Sequence, residues 1–213
     1  MQSSEPAFSY DELVEALTLS QEYGFLSPQP IERQIEHSQE LISFCPKTTG
    51  RVIDLGAGGG LPSLVWLHID PEVLIVAIDA MKKRTDFLEE IASKYSGIGD
   101  RLTVVNGRAE EIAHKVGFRE KYELVVARGF ASPSTVAECA AGLIQSGGNL
   151  VVSGRPEGEL ERWNEEQLEK LGYGKIELYS GDKCHAVRIP KERSLEDVFP
   201  RKASAIKKKP LWV

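Results

Sequence analysis

The sequence predicts an α/β protein with a seven-stranded, mostly parallel β-sheet, flanking helices and a helical extension that precedes the sheet. From Arg51 onward, short β-branched runs alternate with segments of helical periodicity, which is the pattern of βαβ units. A glycine-rich turn follows the first of these runs, where such sheets bind ligands. The predicted strands are residues 52–53, 73–78, 102–105, 124–127, 150–153, 176–179 and 186–189.

Length and composition indicate one globular unit. The chain has 213 residues, of which 41% are hydrophobic and 27% charged. No apolar run reaches the roughly 20 residues of a membrane span, and the start lacks the features of a signal peptide. We therefore expect a cytoplasmic protein with no membrane partner.

The cysteines predict neither disulfides nor a metal site. Cys45, Cys139 and Cys184 are widely separated and odd in number. Cys184 and His185 are adjacent, but neighbours on a strand point to opposite faces and chelate poorly. We expect reduced thiols, no metal and a monomer.

Three units follow from the order of the elements. Residues 1–50 contain two predicted helices, around 10–17 and 31–42, which we interpret as a lid or flank. Residues 51–192 form the Rossmann-like core, and 193–213 a basic segment packed on it. Within the core, one helix is expected to begin near Met81. A last long helix is expected over 160–171, with Trp163 in the core.

The charge is distributed unevenly. The net charge is −6, and acidic residues, Glu5 among them, dominate the first fifty positions. The final stretch from Phe199 has no acidic side chain, which indicates a local anion-binding patch. The alternative is a solvated, functionless charged terminus. The candidate contacts are Arg201, Lys202, Lys207, Lys208 and Lys209.

The glycine-rich turn carries the strongest indication of a ligand. It runs from Asp54 through Gly56, Gly58 and Gly60, and Leu61-Pro62 then opens a helix. Nicotinamide and flavin enzymes also use such a turn. However, Leu61 stands where their fingerprint needs glycine, and a carboxylate at Asp54 suits a cation and repels a pyrophosphate. The turn therefore favours S-adenosylmethionine as the cofactor.

Two further strand ends fit an adenosine. Asp79 ends the second strand, where its carboxylate can accept hydrogen bonds from both ribose hydroxyls; the alternative role is a helix cap. Ala109 and Glu110 follow the third strand and are expected to flank the adenine, although Glu110 would equally suit the first turn of a helix.

An arginine ends the fourth predicted strand. Arg128 follows the apolar run 124–127, at the mouth of the expected cleft. The alternative is that Arg128 is an exposed surface residue without a role in the site. We favour a functional one, because burying an arginine without a partner is costly.

Over residues 30–211 the sequence resembles the bacterial small-subunit rRNA guanine-N7 methyltransferase family, also called glucose-inhibited division protein B. The segments 54–62, 108–110, 128–131 and 199–211 carry the resemblance. It implies a class I S-adenosylmethionine-dependent methyltransferase acting on a guanosine in the decoding-region loop of 16S rRNA, as free RNA or in the small ribosomal subunit. It also implies cofactor contacts by Gly56, Leu61, Ala109, Glu110 and Arg128, and substrate contact by His37.

Two positions depart from the family pattern. The second N-terminal helix usually has Arg-His followed by Asp-Ser, and Glu36-His37-Ser38-Gln39 keeps only the histidine securely. Ser153-Gly154-Arg155 stands where the family usually has lysine before glycine. Both departures lie where substrate is expected, so they bear on the substrate more than on the cofactor.

The implied chemistry needs little acid–base help. Guanine N7 is unprotonated at neutral pH, so methylation there requires no general base and catalysis can rest on positioning. Arg128 is the candidate catalytic residue, contacting cofactor or phosphate rather than the guanine edge. Alternatives are a dehydrogenase, a methyltransferase for another RNA or a small molecule, and a non-catalytic RNA-binding module.

Overall fold

The computed structural model describes residues 8–213, so the first seven positions, including Glu5, lie outside it. Its centre is one seven-stranded sheet. The strands are β1 Val52–Leu55, β2 Ile75–Asp79, β3 Leu102–Asn106, β4 Tyr122–Ala127, β5 Ile144–Ser153, β6 Glu177–Ser180 and β7 His185–Pro190. Their spatial order is β3-β2-β1-β4-β5-β7-β6.

The five adjacent strands β3, β2, β1, β4 and β5 are parallel to one another. Strand β7 lies between β5 and β6 and is antiparallel to both. The predicted fold class is confirmed. Every residue of β1 and β2 is buried, as expected for central strands covered on both faces. Because β1 pairs with both β2 and β4, their carboxyl ends meet at the centre of one edge.

Helices cover both faces of the sheet. They are α1 Tyr10–Glu22, α2 Ile31–Ser43, α3 Ser63–Ile69, α4 Lys82–Lys94, α5 Ala109–Ile112, α6 Pro133–Ala141, α7 Glu165–Lys170 and α8 Ala203–Lys208. One apolar core joins α1 to α4 to one sheet face, and a second joins α5 to α8 to the other.

The two N-terminal helices pack directly on the core. Leu13, Leu17 and Ile35 belong to the same buried cluster as Leu64 and Leu88. A capping box between Ser9 and Glu12 begins α1. At the far end of α2, the Glu40 carboxylate accepts hydrogen bonds from the backbone N–H groups of residues 182–184, in the turn between β6 and β7.

The predicted long helix over 160–171 is wrong in its extent. A short 3₁₀ turn at Leu160–Arg162 ends at Trp163, whose backbone is extended, and α7 begins after Asn164. The Asn164 side chain accepts a hydrogen bond from the N–H of Gln167 at 3.0 Å, so Asn164 caps the N-terminus of a new helix, α7. Trp163 is buried, as predicted.

The C-terminal segment is held against the core. Ile206 on α8 is buried, and the indole N–H of Trp212 donates to the carbonyl oxygen of Arg162 at 2.8 Å. The ring of His114 contacts an earlier part of this segment, with Nε2 2.7 Å from the carbonyl oxygen of Pro200. The basic residues are therefore displayed from an ordered surface.

Residues 8–213 contain neither a membrane-spanning helix nor a cluster of metal-binding side chains. None of the helices there combines the length and apolar character needed to cross a bilayer. Nor do His, Cys, Asp and Glu side chains in that range gather in a group of three or more that would hold a metal ion. Cys45, Cys139 and Cys184 are free thiols.

Candidate active site

The glycine-rich turn connects β1 to α3 and needs glycine for two different reasons. Gly56, Gly58 and Gly60 have φ angles of 78°, 55° and 101°, a region that favours glycine. A Cβ on Gly60 would lie 2.6 Å from a Leu64 methyl carbon, so helix packing also excludes a side chain there. A Cβ on Gly58 would meet no atom closer than the Gly56 carbonyl oxygen at 3.7 Å, so Gly58 faces open space.

Asp54 lies fully buried beneath this turn. Its Oδ2 accepts hydrogen bonds from the Ser63 hydroxyl at 2.6 Å and the Ser63 N–H at 3.3 Å. Its Oδ1 has no hydrogen-bond partner among residues 8–213. Burial raises the pKa of Asp54 to about 7, against the opposing effects of the Ser63 hydrogen bonds and the nearby Arg128 charge.

Arg128 follows β4 and is mostly buried beside Asp54. No described residue forms a hydrogen bond or an ion pair with its guanidinium within residues 8–213. Burial lowers the pKa of Arg128, while the proximity of Cys184 and Asp54 acts in the opposite direction. A largely buried, unpaired arginine is costly, so its position indicates that an anionic group belongs beside it.

His37 reaches the same region from α2. Its Nδ1 is buried and has no partner in the described range. Burial, and next the Arg128 charge, lower the pKa of His37 to about 4, so its imidazole is neutral at neutral pH. The structure therefore brings His37 and Arg128 together across 91 residues of sequence.

Asp79 supports the turn from the neighbouring strand. Its Oδ2 accepts a hydrogen bond from the Gly58 N–H at 3.0 Å, and its Oδ1 accepts one from the Met81 N–H at 2.8 Å. The second bond orders the backbone just before α4, but the N-cap of that helix is Met81 and has no side-chain cap, so Asp79 is not the cap residue that the sequence left open. Its Oδ2 also lies 3.5 Å from Arg84 Nη1 in an ion pair, so Oδ1 retains the freer acceptor position for a ribose hydroxyl.

Ala109 and Glu110 lie on the wall of a cavity of about 280 Å³. The cavity is enclosed by α5, α6 and α8, and its lining includes Phe130, Ile206 and Lys207. Glu110 is buried, and one of its oxygens accepts a 2.6 Å hydrogen bond from Arg108 Nε. The basic C-terminal helix therefore forms part of the predicted adenine site.

The lysines predicted to bind phosphate are exposed, whereas Arg201 forms an ion pair with Glu138. Lys202, Lys207, Lys208 and Lys209 form no ion pair in the described part of the chain. The Arg201 guanidinium makes two hydrogen bonds, of 2.8 and 2.7 Å, with the fully buried carboxylate of Glu138. The prediction for Arg201 is corrected, because its charge neutralises Glu138 and anchors the tail.

Three contributors were missed by the sequence reasoning. Ser63 holds Asp54, and Ser20 on α1 donates its hydroxyl hydrogen to the Gly59 carbonyl oxygen at 2.9 Å. Phe130 lies against the turn, since a Cβ on Gly56 would be 3.3 Å from its Cγ and closer still to Cδ2. Phe130 stands in a recognisable motif, but no local pattern identifies its contact with Gly56.

The unpaired groups fit the methionine end of S-adenosylmethionine. Asp54 Oδ1 is an acceptor suited to an ammonium group, and the Arg128 guanidinium is a donor suited to a carboxylate. They flank a turn whose central glycine faces open space, with Asp79 and Glu110 further along the same edge. When bound, this cofactor supplies an electrophilic methyl group on a sulfonium.

Comparisons with known proteins identify similar chains. The family model described as rRNA small subunit methyltransferase G matches residues 16–180. A ribosomal RNA small subunit methyltransferase G of Symbiobacterium thermophilum is 36% identical over 76% of this chain and 70% of its own. A protein of the same name from Clostridium kluyveri is 30% identical over 85% of this chain and 78% of its own.

A solved structure supports the fold. The S-adenosylmethionine-dependent O-methyltransferase of Thermotoga maritima superposes with a TM-score of 0.56 at 12% identity, covering 85% of this chain and 73% of that one. At this identity the likeness concerns the fold alone.

Proposed function

This chain belongs to the rRNA small subunit methyltransferase G family, and we propose that it transfers a methyl group from S-adenosylmethionine to N7 of a guanosine in the decoding-region loop of 16S rRNA. The observation that carries the proposal is the presence of two oppositely chargeable groups at the glycine turn, the Asp54 carboxyl, whose Oδ1 has no partner in the described range, and the nearby Arg128. Such a pair suits a zwitterionic cofactor end.

The residues have separate tasks in this proposal. Asp54 and Arg128 hold the charged end of the cofactor, Asp79 its ribose, and Ala109 and Glu110 its adenine. Arg128 also orients the reactants, and positional errors of about 1 Å can lower a rate on the order of 100-fold. His37 contacts the substrate as a neutral imidazole. No side chain needs to remove a proton, because N7 presents a free lone pair.

The substrate is held by charge. Lys202, Lys207, Lys208 and Lys209 bind phosphates of 16S rRNA or of the small ribosomal subunit. We place this reaction in the cytoplasm and assign it to a monomer.

The test compares 16S rRNA nucleosides by mass spectrometry from cells with and without the gene. We expect one 7-methylguanosine to disappear on deletion and to return with the wild-type chain. The Arg128→Ala variant should fold but lose about 100-fold in methylation rate. Arg33→Ala, at an exposed position on α2, is the matched control and should act as wild type. An unchanged 7-methylguanosine content after deletion would refute the proposed function.

A further inference from the structure

Phe130, which lies against Gly56 of the cofactor turn, also lines a second cavity. Its volume is about 160 Å³, and it lies between the turn after β4 and the loop after β5. Its lining includes Phe130, Pro133, Gly154, Arg155 and Trp163. No residue of this cavity other than Phe130 also lines the cavity with Ala109 and Glu110.

Phe130 therefore lines both cavities at the carboxyl edge of the sheet. Its ring is partly exposed and lies against Gly56 of the turn. One cavity beside it suits the adenosine of the cofactor. The other is open to a second planar group, for which the phenylalanine ring is a stacking surface.

The far wall of the second cavity is rigid. Glu159 is buried, and its carboxylate accepts hydrogen bonds from the Arg155 N–H at 2.8 Å, Arg162 Nη1 at 2.9 Å and the Trp163 indole N–H at 2.9 Å. These bonds occupy the carboxylate, so Glu159 shapes the loop instead of binding a ligand. A wall ordered in advance reduces the entropic cost of ligand binding.

Arg155 stands at the rim with its side chain exposed. Its guanidinium forms no ion pair with any residue of the described range, and it lines the second cavity and two neighbouring ones. An unpaired arginine beside an aromatic slot suits a nucleotide, because the base can stack while the phosphate meets the positive charge.

We propose that this cavity receives the target guanine, with Phe130 as its stacking surface and Arg155 as the contact for an adjacent phosphate. The inference rests on the proposed function and adds the place where its substrate base binds. Phe130 lines this slot and also lies against Gly56 of the cofactor turn, so a base stacked on its ring lies at the same edge of the sheet as the methyl donor.

The test measures methylation of small ribosomal subunits from cells lacking the gene, at saturating S-adenosylmethionine. Phe130→Leu keeps an apolar side chain but removes the aromatic face, and Phe130→Tyr keeps that face. We expect kcat/KM for the subunit to fall roughly 10- to 100-fold in Phe130→Leu and to stay within about threefold in Phe130→Tyr, since stacking of one base contributes about 1–3 kcal/mol.

Phe118→Ala is the matched control. Phe118 is partly buried and stacks on Tyr122 at the opposite end of β4, so its replacement should leave kcat/KM unchanged. Saturation-transfer NMR with guanosine 5′-monophosphate and the S-adenosylhomocysteine complex gives a readout independent of turnover. We expect transfer to the guanine H8 in wild type and Phe130→Tyr, and a clear decrease in Phe130→Leu.

Three outcomes separate the possibilities. Wild-type kcat/KM in Phe130→Leu would overturn the stacking role. If Phe130→Leu raises the Kd for S-adenosylmethionine but keeps a normal rate at saturation, Phe130 belongs to the adenine site, and the stacking role is again overturned. If the wild-type chain methylates no guanosine, the proposed function itself fails.

Discussion

Asp54 combines complete burial with an unpaired carboxylate oxygen. Its pKa of about 7 lies above that of an aspartate in the unfolded chain, near 4. The folded, cofactor-free protein therefore binds more protons than the unfolded chain between these values. The contribution of Asp54 to stability is therefore greatest at the acidic side of this window and is lost as pH rises through it.

Cofactor binding should reverse this preference, because an ammonium group needs the ionised form of Asp54. Below pH 7 the carboxyl must first lose its proton, so we expect the Kd for S-adenosylmethionine to be about tenfold higher at pH 6 than at pH 8. We expect S-adenosylmethionine binding near pH 6.5 to release a proton from Asp54. Binding calorimetry in buffers that differ in ionisation enthalpy measures this release, because the observed heat then depends on the buffer.

Asp54→Asn is the accompanying variant. It keeps the shape and an acceptor for Ser63, but carries no charge that titrates. Its Kd should be higher and independent of pH over the same range. A wild-type Kd that does not change between pH 6 and pH 8 would contradict the role given to Asp54.

Among the elements, α8 has the most distinctive surroundings. Its buried side is Ile206, and its Lys207 lines the cavity with Ala109 and Glu110. The Arg201–Glu138 pair fixes the chain just before it. RNA held by α8 would thus lie beside the adenine end of the cofactor.

Replacing Lys207, Lys208 and Lys209 together by Gln should weaken RNA binding, because fewer phosphates are then neutralised. We expect the slope of log K against log salt to become shallower by roughly 0.7 to 0.9 for each phosphate that is no longer neutralised. Filter binding of 16S rRNA or small subunits at several salt concentrations measures this slope.

The matched control changes Lys115, Lys121 and Lys175 to Gln. These three are also exposed and form no ion pair in the described range, so the net charge changes equally. This control should keep the wild-type slope. Equal slopes for both triple variants would exclude a specific role for the α8 lysines.

At the scale of the whole molecule, the N-terminal helices and the cofactor turn form one packed unit. A Cβ on Gly59 would collide with the Ser20 Oγ and lie 2.8 Å from Leu26 Cγ. The φ of Gly59 is not in the left-handed region, so only packing requires glycine there. The extension therefore limits the position of the turn.

Gly59→Ala should push the N-terminal helices away from the turn. Overpacking of this kind costs about 1–3 kcal/mol, so we expect a corresponding decrease in the free energy of unfolding measured with urea. Affinity for S-adenosylmethionine should fall as well. Gly117→Ala, where a Cβ meets nothing within 4 Å, is the control and should unfold as wild type. Equal stability of the two variants would show that the helices are not tightly packed on the turn.

The sequence by itself determined the sheet, the glycine turn and the order of Asp54, Asp79, Glu110 and Arg128 along its edge. These features depend on periodicity and turn chemistry within short segments, and parallel strands then align their carboxyl ends. The burial of Trp163 was predicted as well, although the continuous helix on which that prediction depended is not observed.

Only the tertiary structure decided which partner each polar side chain takes. Arg201 pairs with Glu138, 63 residues away, His37 lies beside Arg128, and Phe130 packs on Gly56. The helix predicted over 160–171 is interrupted at Trp163, whose backbone is extended while its indole is buried. Such pairings depend on which distant groups share a buried space, and no spacing along the chain encodes that choice.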